Sequence, residues 1–198
     1  ALPICVHHAA RLREAGATHV VDLGCGIGAD SLAMAGLGLR VTSIETDPET
    51  AGAAAANLAP FPEASVLTGD GLEISLDDIG ADAIWLDPAR RDSAGRRLKN
   101  PEEWSPKLSA ALDIASRYSA AGIKVAPGIA HGLCPENSHV QWISHDGDLL
   151  EAVIWLGAAA PTAGRGALIL RGEQAFTFDS GARSADEELP PVPPTELA

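Results

Sequence analysis

The sequence predicts a doubly wound α/β domain with a mostly parallel sheet and an antiparallel end. Three observations carry this: apolar strand-like runs alternate with helical ones, a glycine-rich turn follows the first strand, and the rhythm changes after Pro127-Gly128. Strands alternating with helices imply a parallel sheet covered on both faces. A helical segment over residues 6–15 leads into a strand at 18–23, a helix at 29–36, a strand at 40–44 and a helix at 48–58. Strands at 65–68 and 83–86, a helix at 106–119 and a strand at 122–126 complete the alternating part. Beyond it, residues 140–144 and 150–156 flank Asp146-Gly147-Asp148, the turn chemistry of a hairpin. Residues 167–170 and 174–178 add at least one more strand, and there is no internal repeat.

Composition agrees with one domain. At 198 residues, 46% of them hydrophobic, the chain can bury one sizeable core. No apolar run approaches the roughly 20 residues needed to span a bilayer. The chain lacks an initial Met and a signal segment, and reads as a fragment of a longer, cytoplasmic protein. Residues 1–17 form a helical lead-in, 18–180 the main domain, and 181–198, with Pro190-Pro191-Val192-Pro193-Pro194, a linker to a missing C-terminal domain. Three cysteines, Cys5, Cys25 and Cys134, have neither metal nor disulfide spacing, and no metal is expected.

The strand ends carry the chemistry. In Val20-Val21-Asp22-Leu23-Gly24-Cys25-Gly26-Ile27-Gly28 an acid ends a strand just before a turn of residues that let the backbone touch a ligand. The glycines alone suit a dinucleotide or S-adenosylmethionine. Asp22 decides between them, because a carboxylate repels a pyrophosphate at the helix start but attracts an ammonium and a sulfonium. Glu45 ends the second strand about 20 residues later, as a ribose-binding acid should. Thr46 and the turn acid Asp70, with Gly71, complete the cofactor set, Asp70 facing the adenine amino group. Asp47 caps the following helix.

From these residues the chain resembles the class I S-adenosylmethionine-dependent methyltransferases over about residues 12–171. VVDLGCGIGAD, SIETDP, LTGDG and Asp87-Pro88-Ala89-Arg90-Arg91 carry the resemblance. The last, with GRR, Trp104-Ser105-Pro106 and the KVAPGI run, is similar to an actinobacterial group with a C-terminal THUMP-like domain. The resemblance implies a seven-stranded Rossmann-like sheet, S-adenosylmethionine as cofactor and an RNA-related substrate. In similar enzymes that methylate nitrogens, an acid or amide is followed by two prolines and an aromatic. Here Asp87 and Pro88 keep the first half, so Asp87 is the proton-handling residue, while Arg90 stands at the aromatic position, where a guanidinium can stack on a base.

A net charge of −13 opposes unaided binding to nucleic acid. Yet Arg90, Arg91, Arg96, Arg97 and Lys99 cluster after the Asp87 strand, and local sign matters at a binding mouth. RNA is therefore the expected partner, with the missing domain assisting. A small-molecule acceptor, favoured by the acidic charge, and a non-catalytic cofactor-binding module are the alternatives. Cys134 is the only candidate for a covalent mechanism, without a visible activating partner. His7 and His8 belong to the leading helix, His131 to a loop, and Lys124 stands unexplained inside a strand.

Overall fold

β-Branched and aromatic residues concentrate in the segments that pair. The computed structural model describes residues 2–90 and 94–180. Five strands, β1 (His19–Leu23), β2 (Arg40–Glu45), β3 (Ala64–Thr68), β4 (Ala83–Leu86) and β5 (Ala120–Val125), run parallel. They are followed by β6 (His139–His145), β7 (Asp148–Gly157), β8 (Gly164–Arg171) and β9 (Gln174–Asp179) in one sheet of order β3-β2-β1-β4-β5-β7-β6-β8-β9. Helices α1 (Leu2–Glu14), α2 (Ala29–Gly36), α3 (Pro48–Leu58) and α4 (Leu108–Ala115) cover its faces. Successive connections run one way from β1 and the other way from β4, so the sheet has its switch point between these two strands. Open α/β sheets bind ligands outside the carboxyl ends of strands at such a point.

β1 and β4 are buried along their whole length, as central parallel strands should be. One core lies between the sheet and α1, α2 and α3, and includes Leu12, Val20, Met34, Leu58, Trp85 and Trp155. The other lies under α4, with Val21, Ile84, Leu86, Leu108 and Ile154. The rings of Trp85 and Trp155 are 5.6 Å apart and pack over Gly122, where an added Cβ would sit 2.6 Å from Trp85 and 2.8 Å from Trp155.

β6 and β7 form the expected hairpin. Its two-residue loop, Asp146-Gly147, has φ of 51° and 94°, the paired left-handed conformation that matches strand twist. The sheet has nine strands among the described residues rather than seven. β8 pairs parallel to β6, and β9 lies antiparallel at the edge with Phe176 and Phe178 exposed. The helix expected over 106–119 is shorter, because Lys107 precedes its first turn in an extended conformation and residues 116–119 are needed to reach β5. β5 itself starts two residues early, at Ala120, where it pairs with Ala83. Residues 181–198, read as a linker, and Arg91 lie outside the described residues. No helix among the described residues is long and apolar enough to cross a membrane.

Candidate functional site

The turn after β1 is tied to the end of β2. The Gly24 and Cys25 amides both donate to the Ile44 carbonyl, at 3.0 and 3.1 Å. Gly24, Gly26 and Gly28 have φ of 81°, 56° and 81°, which L side chains rarely adopt, and Gly28 caps α2. Glu45 closes the arrangement: its Oε2 accepts from the Gly26 amide at 2.9 Å and its Oε1 from the Asp47 amide at 3.0 Å. Asp47 caps α3 by accepting from the Thr50 amide at 2.8 Å.

A cavity of about 150 Å³ opens at these strand ends. Gly24, Glu45, Thr46, Asp70, Gly71 and Asp87 line it, so six of the residues singled out from the sequence meet there. A Cβ on Gly71 would fall 1.9 Å from Leu23 Cδ1, so any side chain there would displace Leu23. Asp70 also shapes its own turn, with Oδ1 accepting from the Leu72 amide at 2.9 Å. Ser105 and Pro106 form part of the wall, because Ala89 and Ser105 pair backbone to backbone. A larger cavity of about 660 Å³ lies elsewhere, between α1, β6, β8 and β9, and none of the predicted site residues lines it.

Asp22, Cys25, Gly26, Gly28, Pro88 and Arg90 do not line the cavity. Asp22 is buried, with Ser31 Oγ donating to its Oδ2, and Ser31 in turn 2.7 Å from the Ser43 hydroxyl. Burial pushes its carboxyl up to about 8, with nearby Asp30 adding and the Ser31 bond opposing. Burial thus biases Asp22 toward its neutral form, which sequence position alone does not reveal. Burial, with Asp22 and Glu45 adding, also pushes the Cys25 thiol up to about 12, which leaves it inert.

Asp87 is held at the end of β4, its amide donating to the Leu23 carbonyl at 3.2 Å. Its carboxyl is one-third exposed, and Lys124 Nζ on β5 reaches its Oδ2 at 3.0 Å. Burial raises the Asp87 pKa, with Lys124 and then Arg90 pulling against it. Lys124 also lies 3.6 Å from Glu151 Oε2 on β7. Glu151 Oε1 is 2.8 Å from His8 Nε2 on α1, a close ionic contact outside hydrogen-bond alignment. His8 Nδ1 meets Asp30 Oδ1 on α2 at 2.8 Å, and the ring stacks on Trp85 at 4.3 Å. His8, Asp30 and Glu151 were not singled out as site residues. The available signal was a charge inside an apolar strand, in Leu149-Leu150-Glu151-Ala152-Val153 as in Ile123-Lys124-Val125.

Cys5, His8 and Asp30 bring potential metal-ligand atoms within 4.8 Å of one another. Both nitrogens of His8 already face carboxylates, so the set works as a chain of ion pairs. Cys134 is half-buried and does not line the cavity, and burial pushes its thiol up. His131 packs edge-on against Trp142 at 5.5 Å. The basic loop is anchored by buried Trp104, whose Nε1 donates to the Leu98 carbonyl at 3.1 Å. Arg96, Arg97 and Lys99 are exposed on it, while Arg90 is half-buried with Nη1 enclosed.

Residues 21–89 match the family model described as a methyltransferase domain. Over 195 residues the chain is 34% identical to an uncharacterised S-adenosylmethionine-dependent methyltransferase of Mycobacterium tuberculosis, in strains CDC 1551 / Oshkosh and ATCC 25618 / H37Rv. The alignment covers 95% of this chain and 49% of each relative, so the chain spans about half the length of the curated relatives it matches. Among solved structures, a candidate methyltransferase from Porphyromonas gingivalis W83 superposes with a TM-score of 0.71 at 23% identity, covering 91% of this chain and 47% of that one. The O-methyltransferase from Bacillus cereus in complex with SAH superposes with a TM-score of 0.56 at 16% identity, covering 77% and 79%. At such identities the likeness establishes the fold.

Proposed function

Because the chain belongs to the S-adenosylmethionine-dependent methyltransferases, we propose that it methylates a nitrogen of RNA, with Asp87 accepting a hydrogen bond from the acceptor N–H. One observation carries this reading: the Asp87 carboxyl stands in the wall of the cavity that Glu45, Asp70 and the glycine turn also line. These residues fit the cofactor. Gly71 and Gly24 line the cavity, Glu45 suits the ribose diol, and Asp70 can accept from the adenine amino group. Thr46 extends the wall, and Cys25, Gly26 and Gly28 supply the turn's backbone. Asp22 answers the cationic methionine end, since a positive charge at the turn favours its carboxylate form.

The cofactor supplies a methyl carbon already activated on a sulfonium. The protein's share is to align the acceptor with that carbon and to handle one proton. Asp87 does both by holding the N–H, and Pro88 stiffens the chain that carries it. Arg90 stacks on a base or pairs with phosphate, and Arg96 and Arg97 extend the basic mouth toward the RNA. The longer protein, with a THUMP-like domain assisting, is the form expected to meet RNA, in the cytoplasm. Incubating the longer protein with labelled cofactor and separate pools of RNA, protein and metabolites tests the substrate class. Label in RNA supports the reading. Label in metabolites assigns a small-molecule acceptor, in keeping with the net charge of −13, and no label in any pool leaves a cofactor-binding module.

Two substitutions probe the two halves of the site. Glu45→Ala is expected to weaken S-adenosylhomocysteine binding by about 1–3 kcal/mol in calorimetry, the worth of charge-assisted bonds to the ribose. Reversing Arg96 and Arg97 to Glu should weaken RNA binding and lower its salt slope by about two, while cofactor affinity stays unchanged. Unchanged RNA affinity in the double reversal would remove the basic loop from the RNA site.

A further inference from the structure

A lysine in the middle of a strand needs a reason, because burying an ammonium is costly unless anions surround it. Lys124 has them on two sides, with Asp87 Oδ2 at 3.0 Å and Glu151 Oε2 at 3.6 Å. Lys124 pairs with Val153 across β5 and β7, so Glu151 two residues away projects from the same face. Beyond it the signs alternate through His8 to Asp30, each step at 2.8 Å. Five elements thus contribute one ionic chain that starts in the cofactor cavity and ends beneath α2. The methyl-transfer reading uses only its first member.

We propose that Lys124 is the positioning residue for Asp87: it ties down Oδ2 so that Oδ1 faces the acceptor N–H, while Glu151 and His8 hold the ammonium in place. The proposal rests on the reading of Asp87 as the acceptor-binding group. Lys124 is not itself a base. Burial disfavours its ammonium, yet Asp87, Glu151 and Asp30 outweigh that and raise its pKa, so it keeps its proton through the neutral range. Its partner gains in turn, since the ammonium is the largest force keeping the half-buried Asp87 ionised. A carboxylate fixed by one oxygen meets a substrate in one orientation, and that is where positioning accelerates a reaction. The other groups bearing on the pair are Arg90 after β4, Asp22 on β1, Asp30 on α2, Cys5 and His8 on α1, and Glu151 on β7.

The test follows the Asp87 carboxyl by ¹³C NMR in the unmodified protein, in Lys124→Met and in Lys124→Arg, with Asp87→Asn to assign the signal. Methyl transfer to total cellular RNA is measured in parallel across pH. Lys124→Met is expected to raise the Asp87 midpoint by about one pH unit or more, to move the acidic limb of the kcat profile with it, and to lower kcat about tenfold with KM for RNA nearly unchanged. Lys124→Arg should restore most of the midpoint. Should Lys124→Met not fold, the Lys124 ammonium ¹⁵N signal of the unmodified protein must move at the same midpoint as the Asp87 carboxyl. An Asp87 titration indifferent to Lys124, or a Lys124 signal that ignores it, overturns the positioning role alone. Full kcat in Asp87→Ala overturns the functional reading, and the positioning role falls with it.

Discussion

Asp87→Ala is expected to lower kcat for methyl transfer about 10²–10³-fold while leaving RNA binding and cofactor binding nearly unchanged. The asymmetry follows from where the side chain sits. Asp87 follows β4 directly, its carboxyl is bound by Lys124 at 3.0 Å, one-third of its side chain is exposed, and the residue lines the cavity. A bond to the acceptor N–H strengthens as the nitrogen gains positive charge, so it favours the transition state over the bound substrate. Asp87→Asn keeps an oxygen that can accept from Lys124 but removes the charge, and should fall between the parent and the alanine variant. Single-turnover rates with labelled cofactor, set beside equilibrium binding of RNA, read the two effects separately. Full activity in Asp87→Ala would remove the catalytic assignment.

His8→Leu should cost about 3–5 kcal/mol of unfolding free energy, because it strips the cation from between two buried carboxylates. His8 is almost wholly buried, with Asp30 and Glu151 each 2.8 Å from one ring nitrogen and Trp85 stacked on its face. Burial disfavours the imidazolium, but the contacts with Asp30 and Glu151 outweigh it and raise the His8 pKa above 6.5. A raised histidine stabilises fully below its unfolded pKa, and the contribution is lost as pH rises through the folded value. Asp30 has the opposite sign: burial raises it, His8 more than reverses that, and its net lowered pKa gives stability that is lost only as pH falls. The pair therefore contributes fully between the unfolded Asp30 and unfolded His8 values, and is lost as pH moves out through the depressed Asp30 value or the raised His8 value. Urea unfolding at several pH values should show the alkaline decline in the parent and its absence in His8→Leu. A loss under 1 kcal/mol would show that the ionic chain is not a structural element.

Much of the candidate site's geometry was legible because it lies at strand ends, where the local sequence pattern marks the edge of a parallel sheet. Glu45, Asp70 and Asp87 each close a short apolar run, and the parallel sheet then brings them to one edge. Asp22 was legible as a position and not as a charge state, since its pKa of about 8 depends on burial and on Asp30 from the next helix. The ionic chain was hidden for a related reason. His8, Asp30, Lys124 and Glu151 are far apart in sequence, and nothing local tells a helix histidine on the surface from one stacked on Trp85. The outer sheet was half legible. The Asp146-Gly147 turn marks the β6–β7 hairpin, but the parallel pairing of β8 with β6 is a long-range choice that no turn residue announces.

Calorimetry of this chain with S-adenosylhomocysteine, S-adenosylmethionine and NAD tests the central claim most directly. Glu45, Asp70 and Asp87 line the cavity and Asp22 lies buried just before the glycine turn, a set of acids that suits a ribose and a cationic amino acid and weighs against a pyrophosphate despite the amides of the turn. The expected result is saturable binding of both methionine derivatives and no heat from NAD. Tight NAD binding, with no response to either methionine derivative, would contradict it.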